Sequence, residues 1–142
     1  MPHNTYGPSF KLTLLSSLPP ASALTPPRVR FVGRVIGADL PRDLLLVEDD
    51  GAAVCVEMEL ARRAAGREWN PPGVKEEVMV WAEVGRVETP VAPPSITAVL
   101  PSPTPPSIDP LILLKATRIL PCEELDLHEW RDNVRSMLEM AP

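Results

Sequence analysis

Apolar and polar positions alternate along much of the chain, and that period of two predicts five strands. In the first, Arg28 to Ala38, Val29, Phe31 and Val35 share one side with Gly33, while Arg30 and Arg34 lie on the other. A glycine on the apolar side of a strand marks a bulge or sharp bend. Asp39-Leu40-Pro41-Arg42-Asp43 reads as a turn, and Leu44 to Glu48 as the second strand. Asp49-Asp50-Gly51 is a hairpin signal, since Asp-Gly supplies the positive φ angles of a tight turn. The third strand, Ala52 to Met58, sets Val54, Val56 and Met58 against Ala53, Cys55 and Glu57. In the fourth, Glu77 to Val87, Val78, Val80, Ala82 and Val84 oppose Met79, Trp81 and Glu83, with Gly85 marking curvature near its end. The fifth, Leu111 to Leu120, alternates Leu111, Leu113 and Lys115 with Ile112, Leu114 and Ala116.

Two segments follow the helical period instead. Between the third and fourth strands, Leu60, Ala61, Ala64 and Ala65 are helix formers at helical spacing, with Gly66 as a stop. At the end of the chain Asp126 reads as an N-cap and Glu129 as its capping-box partner. Trp130, Val134, Met137 and Leu138 then recur on one face of a helix running to about Met140. Five strands with a helical element between the third and fourth describe the five-stranded OB-fold β-barrel, here all-β with a C-terminal α-helix.

Proline distribution sets the boundaries. Of the 19 prolines, 12 fall in two stretches, Pro19 to Pro27 and Pro90 to Pro110. Proline lacks the amide that helices and central strands need. Residues 1–27 are therefore expected to be a flexible lead-in, with Lys11 to Leu18 as a short surface strand or turn. The OB domain is expected over 28–142, with a proline-rich insertion at 88–110 and the terminal helix at 126–140. The insertion reads as an extended, partly polyproline surface segment.

Charge and chemistry narrow the function. A net charge of −5 argues against a tight, sequence-blind nucleic-acid binder. Cys55 and Cys122 have no metal-ligand spacing and read as reduced, mostly buried thiols. Met1 to Phe10 has no signal-peptide pattern, and no apolar run approaches the roughly 20 residues of a membrane span, so a soluble intracellular protein is expected. Glu48, Asp49 and Asp50 sit where a hairpin wants Asp, and neither His3 nor His128 has a catalytic partner nearby. No phosphate loop or nucleophile elbow is present, so the expectation is a binding protein without catalytic residues, metal or cofactor.

Two surfaces are candidates. Single-strand binding requires a stacking platform and a positive groove. Trp81 with Arg30, Arg34, Arg86 and Arg118 supplies these residue types, although aromatic content is only 4%. The terminal helix offers Trp130, Val134, Met137 and Leu138 as an apolar stripe, covered either by the barrel or by a partner.

Three stretches, RVRFVGRVIGADLPRDLLLVEDD, EEVMVWAEVGRVE and LLKATRILPCEELDLHEWRDNVRSM, resemble the small, Ten-type OB-fold subunit of the telomeric CST complex. LLSSLPP before the first strand is similar to the fungal branch. The resemblance spans about Leu12 to Met137, apart from the proline-rich insertion, which departs from the family. It implies a nuclear, telomere-bound subunit that heterodimerises with the middle CST subunit through barrel surface and terminal helix, with Leu127, Trp130, Val134, Met137 and Leu138 as the partner-facing helix positions. It also implies contact with the larger CST subunit, single-stranded telomeric DNA and polymerase alpha–primase through the complex. The strand VRFVGRV and a helix beginning D-L-x-x-W also resemble the small subunit of replication protein A. An independent nucleic-acid-binding barrel, of anticodon-binding or cold-shock type, is a third reading. A fourth is an enzyme accessory domain that docks through the proline tract.

Overall fold

A computed structural model of the chain describes residues 10–18, 28–100, 104–122 and 126–140. Strands β1 (Lys11–Leu12), β2 (Arg28–Asp39), β3 (Leu44–Asp49), β4 (Ala52–Glu57), β5 (Glu77–Arg86) and β6 (Ser107–Pro121) form one sheet, with helices α1 (Glu59–Ala65) and α2 (Leu127–Met140). Neighbours run β1-β2-β3-β4-β6-β5, and β2 also pairs with β5, which closes β2 to β6 into a barrel. All barrel pairings are antiparallel except β4 with β6. The β3–β4 hairpin turns on Asp50 and Gly51, at φ 52° and 82°, as the Asp-Gly pair predicts.

Alternation places Val29, Phe31, Val35, Leu45, Val47, Val54, Val56, Met58, Val78, Val80, Ala82, Ile112, Leu114 and Ala116 inside the barrel. Burying each large side chain of this set stabilises the fold by roughly 1.5–3 kcal/mol. The lead-in is not wholly loose. β1 pairs in parallel with β2, and Leu15, in a single 3₁₀ turn, is 4% exposed within the inner cluster. Residues 1–9 and 19–27 lie outside the described residues. In β2 and β5 the register shifts fall at Val35/Gly37 and Trp81/Ala82, not at Gly33 or Gly85.

The proline-rich segment departs most from expectation. It is not a surface excursion but a strap across the outside of the sheet. Ile36, Leu44, Leu46, Ala53, Cys55 and Leu113 point away from the barrel interior and form a second buried cluster with Ala98. Val87, Val91, Leu100 and Ile108 pack around it. The shift in β2 leaves Ile36 without a partner on β3, and its carbonyl accepts instead from the Thr97 and Ala98 amides at 2.9 and 3.3 Å. Arg34 Nη1 donates to the Val99 carbonyl at 3.4 Å. The strap ends earlier than the sequence indicates, because β6 begins at Ser107. Pro110 sits where the β4–β6 register shifts, the kind of position that tolerates a missing amide donor.

A Cβ at Gly37 would overlap the Ser95 carbonyl oxygen, so the strap rests directly on that glycine. Gly37→Ala is expected to cost roughly 1–3 kcal/mol of stability by overpacking. It is also expected to speed thiol labelling of Cys55, which lies 0% exposed under the strap and whose thiol pKa is raised by that burial. Denaturant titration and labelling kinetics check both effects.

Candidate functional site

Helix α2 begins as its sequence requires. Asp126 Oδ1 accepts from the amides of His128 and Glu129 at 2.9 and 3.2 Å, and the Asp126 carbonyl accepts from the Trp130 amide. The apolar stripe is divided along its length. Val134 is 1% exposed, Leu127 and Trp130 are half-buried, and Met137 is 59% exposed. The side chain of Leu138 lies outside the described ones. Part of the stripe is therefore already covered within this chain, and among its described side chains Met137 is the member left open.

A charged contact that pattern analysis missed ties α2 to the tip of the β3–β4 hairpin. Arg131 lies 3.3 Å from Asp49 and 3.2 Å from Asp50, and Arg135 lies 3.1 Å from Asp50. Asp49 is only 3% exposed. Burial raises its pKa from 3.8 to about 6, with Glu48 and Asp50 adding to the rise and the Arg131 guanidinium opposing it. The hairpin acids thus serve the turn and also seat the helix. Their sequence signal was two arginines four residues apart, on the helix flank that also carries Val134.

The candidate nucleic-acid residues separate. Register places Arg30, Trp81 and Arg118 side by side across β2, β5 and β6 on the outside of the barrel. The Arg118 guanidinium stacks 5.0 Å from the centroid of the Trp81 ring. Thr117 Oγ1 donates to the Trp81 carbonyl at 3.2 Å. Arg34 does not join this row, since it holds the strap through Val99. Arg86 stands opposite Ile112 at the end of β5, and its side chain lies outside the described ones.

A cleft of about 550 Å³ lies between α1 and the end of β6, lined by Ala61, Ala65, Trp69, Ile119 and Leu120, with Glu68 and Glu76 as its carboxylates. Among the described residues no group of three or more His, Cys, Asp or Glu is placed to hold a metal ion. Among the described residues no helix is long and apolar enough to cross a membrane. Cys55 and Cys122 are free thiols, the first buried and the second half-buried.

No family model and no curated protein matches the chain. Solved structures do. A chain of the S. pombe Stn1–Ten1 complex superposes with a TM-score of 0.60 at 12% identity, over 94% of this chain and 96% of that one. The S. pombe telomere capping protein Ten1 gives 0.59 at 12% identity, over 92% and 99%. The fold is the OB-fold of these proteins. A putative aspartyl-tRNA synthetase from Leishmania major matches at 0.53 and 19% identity, over 88% of this chain but 23% of that one. There the likeness is to a part of a longer chain.

Asp49 holds its proton to higher pH in the folded state than in the unfolded chain. Its contribution to stability is thus fully present below about pH 4 and is lost as pH rises through about 6. Asp49→Asn removes that titration. The wild-type stability minus that of Asp49→Asn, from urea midpoints at a series of pH values, is expected to fall by roughly 1–3 kcal/mol between pH 4 and 7.

Proposed function

We propose that this chain is the small OB-fold subunit of a CST-type telomere-capping complex, a non-catalytic protein that heterodimerises with the middle OB-fold subunit. The observation that carries the reading is the match to Ten1, which takes in 92% of this chain and 99% of that one. The open end of α2 supports it. Met137 and the half-buried Leu127 and Trp130 form an apolar helix edge of the kind that docks into a partner's groove.

On this reading the chain works in the nucleus, at chromosome ends. Protection of telomeric single strands and support of fill-in synthesis by polymerase alpha–primase belong to the assembled complex, which includes the larger subunit. The chain's task is to pair. Leu127, Trp130, Val134, Met137 and Leu138 are the helix positions assigned to that pairing. Val134 acts indirectly, since it is buried within this chain while Met137 is exposed. An independent nucleic-acid-binding barrel is the second reading, favoured by the synthetase likeness.

Affinity purification of the tagged chain from its native cells separates the alternatives. Recovery of a larger OB-fold telomere protein with polymerase alpha–primase supports the proposal. Recovery of the large and middle replication protein A subunits moves the pairing argument to that complex. A chain recovered alone counts against both and favours the independent barrel.

Met137→Glu is expected to weaken the heterodimer about thirtyfold or more, the scale of an interface hot spot. Its melting temperature should stay close to wild type, because Met137 is exposed. Val134→Ala should do the reverse first, lowering stability by about 1–3 kcal/mol through a buried cavity. Calorimetric titration with the middle subunit and thermal melts check the pair.

A further inference from the structure

OB barrels take oligonucleotides on the outside of their second and third barrel strands, together with the flanking loops. In this chain those strands are β3 and β4, and their outer side is a dry aliphatic cluster beneath the strap. Leu44, Leu46, Ala53, Cys55 and Leu113 offer neither a stacking plane nor a cation. Arg34, the nearby arginine on β2, is engaged with the strap's Val99 carbonyl. A single strand needs aromatic planes and positive charge, and this face has lost both.

The outer side of β2, β5 and β6 has both. The Trp81–Arg118 stack supplies a flat surface, and Trp81 is half-buried, with Arg118 exposed. Arg30 stands beside Trp81, and its Nε is buried with no hydrogen-bond partner among the described residues. Arg28 and Lys115 share this face one step along the strands, flanking Glu83, which pairs with Arg28 at 3.7 Å. Glu57 of β4 stands opposite Lys115, so four cations against two carboxylates make a positive patch on a chain whose net charge is −5. Arg30 and Arg118, two strand spacings apart, lie about 10 Å from each other across the indole.

We propose that this chain binds single-stranded nucleic acid on the outer face of β2, β5 and β6, with a base against the Trp81–Arg118 stack and phosphates on Arg30 and Arg118. The usual oligonucleotide face of the fold is closed by the chain's own strap. This goes beyond the pairing reading and does not rest on it: a strand on this face is a property of the single chain, whichever assembly it enters.

The test uses the full chain and an oligothymidylate of about 12 nucleotides, within the span one such barrel covers. Trp69, Trp81 and Trp130 give three separate indole N–H resonances in a nitrogen-15 spectrum. Titration is expected to move the Trp81 indole and leave that of Trp130 in place. Two phosphate contacts predict a slope of about −1.4 for log K against log salt concentration. Trp81→Leu is expected to weaken binding about ten- to a hundredfold. Arg30→Glu, a charge reversal on the patch, gives the same direction where the tryptophan variant loses its fold. The proposal is overturned if the Trp81 indole stays fixed at saturating oligonucleotide, or if no binding occurs. It also fails if the resonances that move belong to Ile36, Leu46 and Cys55 under the strap.

Discussion

Strands β3 and β4 are apolar on both sides, and this requirement organises the molecule. Every residue of Leu44–Asp49 is buried. Leu45, Val47, Val54 and Val56 face inward, where closure of the barrel covers them. Leu44, Leu46, Ala53 and Cys55 face outward, and a sheet apolar on that side needs a second layer. The proline-rich segment is that layer. Proline suits the task because an extended chain without amide donors leaves few backbone groups to satisfy when it is laid on an apolar surface. Of the strap amides that do point at the sheet, that of Val91 meets the Pro110 carbonyl of β6, and those of Thr97 and Ala98 meet the carbonyl freed by the register shift at Ile36. Bulge, bare Gly37 and strap therefore form one device.

Covering that side redistributes the surfaces left for function. The hairpin tip, beyond the reach of the strap, carries Asp49 and Asp50, and α2 is held there by Arg131 and Arg135. The ion pairs cost desolvation as well as giving attraction, which is why the Asp49 carboxyl has a raised pKa despite its arginine neighbour. Seated in this way, α2 buries Val134 and leaves Met137 in solvent. The cationic row of Arg30, Trp81 and Arg118 lies on the remaining outer face, across the pairings of β2, β5 and β6. The open edge of α2 and the basic patch thus stand on different parts of the protein.

Local chemistry made most of the barrel readable. Period-two alternation separated the two sides of β2, β4, β5 and β6 as the structure does, and Asp50-Gly51 and Asp126 marked a turn and a helix start that the structure contains. What escaped depends on contacts distant in sequence. The strap's prolines say only that regular structure is unavailable, and Pro110 hid the first residues of β6. Yet a sign of two-sided burial was present: Leu44-Leu45-Leu46-Val47 has no alternation at all, the mark of a strand covered on both faces. Leu15 was hidden for a similar reason, since one leucine in a short loop carries no period. Arg34 illustrates the limit most sharply. It shares parity with Arg30, and only the strap's path shows that it serves packing rather than the basic row.

Hydrogen exchange on the intact chain tests the central claim, that the strap is a fixed layer of the domain. Protection reports the free energy of local opening. The amides of Thr97 and Ala98 should exchange as slowly as those of β3 and β4, because the outer cluster opens only when the barrel does. Exchange of these two amides at the rate of an unstructured peptide, with β3 and β4 still protected, would contradict the account and return the outer sheet face to solvent.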